Sequence, residues 1–163
     1  MFNHTSKMIA LSITIAGMLL ISCGKEPPHF LPEQINNLKL EKKMLGEEAK
    51  NFVNKLHFQS VASEKNEIGF YQGEEGKATI YVTHYNSSEK AREDWKRMTE
   101  KISPKNSVFI GGDHFKVKGR MIYRCFGMGQ THFVFTNEKQ LFWISVNTMI
   151  GQKILSAYLD YLG

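Results

Sequence analysis

Met121, Cys125, Met128 and His132 bring thioether, thiol and imidazole groups within twelve residues of one another. These are soft ligands of the kind that hold copper. Strand alternation places Met121 and Cys125 on one face, and the glycines on either side of Met128 allow the chain to turn so that His132 returns alongside. A copper-binding or redox-accessory centre built from Cys125, Met128 and His132 is therefore one reading of the sequence. Against it, methionine and free cysteine are ordinary core residues, and Cys125 is expected to share its face with Tyr123 and Val117. A blue-copper centre also needs a second histidine, and His84 would have to arrive from a different strand.

The other histidines have simpler roles. His84 ends a strand whose Ala78, Ile80 and Val82 point the same way, which places it, hydrogen-bonded, at the margin of the core. His114 follows Asp113 in a glycine turn and is expected in solvent, and His57 closes a helix, where a cation is favourable. Lys116, Lys118, Arg120 and Arg124 share parity and are expected to project from one strand face, opposite Phe115, Val117, Met121 and Tyr123. Such a face suits anionic lipid headgroups or an acidic partner. No G-x-S-x-G, H-E-x-x-H, C-x-x-C or G-x-x-x-x-G-K motif occurs, and Gly127-x-Gly129 lacks both the third glycine and the following helix of a dinucleotide site. These absences point to a non-catalytic domain without a resident cofactor, copper being the alternative.

The chain's first residues carry an address. Lys7 precedes an apolar run at residues 8–21, the layout of a secretory signal. As a helix this run covers about 21 Å, short of a hydrocarbon core roughly 30 Å thick. It ends in Leu20, Ile21, Ser22 and Cys23, which resemble the lipobox of bacterial lipoproteins. That resemblance implies a diacylglycerol on the Cys23 sulfur, cleavage before Cys23 and acylation of the new amino terminus, hence stable membrane anchoring. Gly24 in place of aspartate is, in that family, compatible with sorting to an outer membrane where the cell has one.

Cleavage removes Lys7, one of 21 basic residues, and none of the 16 acidic ones, lowering the formal charge by one from +5. This mild excess does not mark a nucleic-acid binder. With Cys23 acylated, Cys125 has no partner for an intrachain disulfide. Pro27, Pro28 and Pro32 make residues 23–32 an extended tether, leaving residues 33–163 as a single domain expected to fold without help from it.

Within that domain, helical spacing marks residues 49–56, 91–102 and 150–162, and Asn86 with Glu89 forms a capping-box pattern. Strands are expected at residues 67–72, 77–85, 108–110, 115–117, 121–126, 131–136 and 141–146. The order strand, turn, strand, helix occurs twice, which predicts an α+β fold with a mainly antiparallel sheet packed by about three helices. Residues 133–135 and 141–146 are apolar on both faces, as strands covered on two sides would be. One sheet face left open would receive a protein partner. The stretch Gly127-Met128-Gly129-Gln130-Thr131-His132-Phe133, beside this helix-and-sheet order, is similar to a loose group of small secreted bacterial domains. That resemblance implies no activity.

Overall fold

The computed structural model describes residues 29–57, 65–102 and 108–163. The signal segment, Cys23, most of the tether and the His57 side chain lie outside them. Two short hairpin elements come first, β1 (Gln34–Ile35) and β2 (Leu38–Leu45), followed by α1 (Gly46–His57). Next are β3 (Lys65–Gly73), β4 (Gly76–His84) and α2 (Ser88–Lys101). Four strands, β5 (Ile110–Val117), β6 (Arg120–Gly127), β7 (Gln130–Asn137) and β8 (Gln140–Asn147), lead through a 3-10 turn (Thr148–Ile150) into α3 (Gly151–Tyr161).

The strands form one antiparallel sheet in the order β1-β2-β3-β4-β8-β7-β6-β5. The fold is α+β, and the repeated strand, turn, strand, helix unit appears as β3-β4-α2 and β7-β8-α3. The doubly apolar strands are the ones covered on both faces. On one face Phe133, Phe135, Phe142, Ile144 and Val146 pack with Ile154, Leu155 and Tyr158 of α3, all nearly inaccessible to water. On the other, Val134, Leu141, Tyr123 and Cys125 meet Trp95 and Met98 of α2. The Trp95 indole Nε1–H donates to the Val134 carbonyl at 2.9 Å, so the ring lies on β7 with its polar edge satisfied. Farther out, α1 sets Phe52 edge-on to Phe70 of β3, ring centroids 5.8 Å apart.

Several expectations need correction. The domain begins before Glu33: Phe30 and Leu31 are 8% and 3% exposed and belong to the main core, and the Tyr71 hydroxyl donates to the Pro32 carbonyl. The α2 cap is Ser87, whose hydroxyl accepts from the Lys90 amide, and not Asn86. Residues 108–110 and 115–117 are not two strands, because a bulge at Gly111 and Gly112 carries β5 through the intervening turn-like residues. Strands β1 and β2 were not expected.

Candidate functional site

The β5–β6 hairpin redistributes the basic side chains. Its two-residue turn, Lys118-Gly119, pairs Val117 with Arg120 and Lys116 with Met121. Residues of opposite parity on the two strands therefore share a face. Lys116 falls on the α2 side with Met121, Tyr123 and Cys125, whereas Arg120 and Arg124 fall on the α3 side with Phe115 and Val117. The expected single basic face is not formed, and Val117 does not share the face of Cys125.

Three of the four cations are also engaged. Arg124 donates to both Asp113 oxygens at 3.0 and 2.8 Å, and its guanidinium stands 5.2 Å from the Phe115 ring and 5.6 Å from Phe126. Arg120 donates to the Asn137 side-chain oxygen and to the Gly163 carbonyl, and Lys118 pairs with Asp160. His114 is exposed as expected, but it lies in β5 rather than in a turn, its ring 4.9 Å from Tyr123 and 5.5 Å from Trp95. His84 meets its expectation at the core margin, bonded to Glu67 at 2.9 Å. That bond holds the Glu67 carboxyl below its ordinary range.

Cys125 and His132 are direct cross-strand partners on β6 and β7. Both are buried, and burial pushes the Cys125 thiol up to about 11. Met128 is elsewhere: it sits in the β6–β7 turn, 72% exposed, with φ 53°. His132 has no nitrogen to spare. Its Nε2–H donates to the Gly127 carbonyl at 3.1 Å, which fixes the tautomer, and Nδ1 accepts from the Ser145 hydroxyl at 2.9 Å and the Trp143 indole at 3.2 Å. Burial holds the ring neutral, outweighing the Gly127 carbonyl, which favours protonation. Phe109 closes this cluster from above, 4.9 Å from His132 and 5.7 Å from Trp143. A Cβ at Gly127 would come within 2.7 Å of the Phe109 ring, so the close approach requires glycine there. Among the described residues no three His, Cys, Asp or Glu side chains converge on a point.

Gly127 also lines an open cleft at this end of the sheet. The cleft encloses about 330 Å³ between Val108 and Ile110 at the start of β5, residues 126–130 of the β6–β7 hairpin, and Thr148. Its lining is apolar and wet: Val108 is 71% exposed, Ile110 64% and Met128 72%. Sequence reasoning singled out only Met128 of this group. An apolar residue at a turn tip was the available signal.

No protein-family model and no curated protein sequence matches the chain. Among solved structures, the crystal structure of a GTP binding regulator from Thermotoga maritima is similar over 77% of each chain, with a TM-score of 0.52 and 10% sequence identity. At that identity the likeness concerns the fold alone.

Proposed function

We propose that this protein is a lipid-tethered module of the cell envelope that binds a partner and catalyses no reaction. Its anchor is Cys23, on the outer membrane facing the periplasm in a cell that has two membranes. The observation that carries the binding reading is the open cleft with its exposed apolar side chains Val108, Ile110 and Met128. Exposed apolar side chains gathered at one cleft mark interaction sites in folded domains. The similar fold of a GTP binding regulator does not extend nucleotide binding to this chain: among the described residues no lysine or arginine lines the cleft to meet phosphates, and the sequence has no G-x-x-x-x-G-K loop.

A second reading, copper binding, rests on Cys125 and His132 facing each other across β6 and β7. One experiment separates the two. In the binding module, the buried thiol with its raised pKa reacts slowly with a thiol reagent under native conditions, added Cu(I) gives no further protection, and Cys125→Ala chiefly lowers stability. Retention of one copper equivalent through gel filtration, lost in both Cys125→Ala and His132→Ala, would instead establish the metal centre.

A further inference from the structure

Three tyrosine hydroxyls fix the place and the direction in which the chain enters the domain. Tyr161, in the last turn of α3, donates to the His29 carbonyl, Tyr158 to the Phe30 carbonyl, and Tyr71 of β3 to the Pro32 carbonyl. Between these bonds the Phe30 ring packs edge-on to His84 at the end of β4, centroids 5.4 Å apart. Leu31 lies so close over β3 that a Cβ at Gly69 would come 3.0 Å from it, and the turn after β1 brings the Asn37 carbonyl oxygen within 2.5 Å of a Cβ at Gly73. The chain thus runs from the His84 end of the sheet toward the opposite end. Whatever precedes His29 joins the domain at the His84 end.

That end has its own composition. Strand register gathers there the turns Lys118-Gly119 and Glu138-Lys139, the start of β3 at Lys65 and the end of β2 at Leu45. The last turn of α3 joins them through the Lys118–Asp160 pair and the bond from Arg120 to the Gly163 carbonyl. Each of the two turns carries a lysine, and the Lys65 side chain keeps 66% of its surface in water. Tyr161 and Leu45 are 45% and 49% exposed at the same end. The hairpin turns at the opposite end are Glu74-Glu75 and Met128-Gly129, and neither carries a lysine. Lysine side chains attract anionic lipid headgroups, and a tyrosine ring, apolar in body and polar at its tip, suits the headgroup layer of a bilayer.

We propose that this end of the domain rests on the phospholipid headgroups of the membrane that carries the anchor. The surface deepens the reading of Cys23 as the lipid-bearing residue and depends on it. The six residues from Cys23 to His29 reach about 20 Å at most. A strand of eight residues spans about 26 Å. With residues 29–32 held by the three hydroxyls, the tether is therefore too short to let the glutamate turn at the opposite end reach the same bilayer. Length keeps the His84 end near the membrane, and the lysines and Tyr161 give that end the chemistry to settle on it.

The test attaches a thiol-reactive fluorophore at Lys139→Cys and, separately, at Glu74→Cys, Lys96→Cys and Gln152→Cys, four exposed positions, while the buried Cys125 stays unlabelled. The full lipidated protein is reconstituted in vesicles of phosphatidylethanolamine and phosphatidylglycerol that contain a lipid with a nitroxide on its headgroup. Position 139 is expected to be quenched several-fold more than position 74 at the opposite end, position 96 on α2 or position 152 on α3. Lys65→Glu combined with Lys118→Glu should lower that ratio, as should replacing phosphatidylglycerol by phosphatidylcholine. Equal quenching at the four positions, strongest quenching at 74, 96 or 152, or a ratio indifferent to both charge changes would overturn the proposal. Acyl mass on Cys23, read on the same samples, scores the anchor separately. An acylated chain with equal quenching keeps the anchor and removes the membrane-facing end, whereas an unacylated chain removes both.

Discussion

Replacing Cys23 by serine is expected to abolish maturation completely, leaving the whole population as an unacylated precursor that still carries residues 1–22. The reason is chemical. The diacylglycerol is held by a thioether, which needs the cysteine sulfur, and in the lipoprotein family cleavage follows that modification. The expected difference is all or none because each acyl methylene inserted in a bilayer contributes about 0.8 kcal/mol and two or three chains far exceed the threshold for stable anchoring. Intact mass of the membrane-extracted variant beside the native protein reads the outcome. A serine variant cut at the same bond as the native chain would contradict the assignment of residues 20–23 as a lipobox.

Phe30→Ala is expected to destabilise the domain by about 3 to 5 kcal/mol, although Phe30 falls in the stretch whose prolines read as tether. The ring is 8% exposed and packs against Phe142 at 5.6 Å as well as His84, so truncation leaves a cavity at one end of the main core. The backbone on either side is pinned too: the Phe30 carbonyl accepts from the buried Tyr158 hydroxyl at 2.6 Å, and the Tyr71 hydroxyl donates to the Pro32 carbonyl at 3.0 Å. Denaturant unfolding followed through Trp95 and Trp143 checks it, since both tryptophans report the far face of the sheet and a loss there shows that the two faces unfold together. A loss below about 1 kcal/mol would return Phe30 to the tether.

The sequence was legible where one period ran without interruption. Residues 91–102 show their helical stripe because α2 has one apolar side, and residues 133–135 and 141–146 read as doubly covered strands because α2 and α3 do cover them. Strand β2 was not legible: Leu38–Leu45 carries Lys39, Glu41, Lys42 and Lys43, and a bulge between Leu40 and Lys42 breaks its alternation. The basic face failed for a related reason. Parity was carried straight through a two-residue turn that in fact exchanges the faces. The partners of His132 were half visible, since alternation along β8 puts Trp143 and Ser145 on one side, yet nothing local says that this side meets His132. The cleft is assembled from residues 108–110, 126–130 and 148, and only the sheet order brings those segments together.

Methionine oxidation tests the claim of a binding module most directly, because the chain carries its own control. Met128 lines the cleft at 72% exposure, while Met121, 49% exposed, does not. Hydroxyl-radical footprinting compares their conversion to sulfoxide in intact cells with that in the purified protein. A cleft occupied in the envelope predicts that Met128 is shielded several-fold in cells while Met121 oxidises at the same relative rate in both. Equal oxidation of both methionines in cells and in the purified protein would mean that nothing docks on the cleft, and the binding function assigned to it would be wrong.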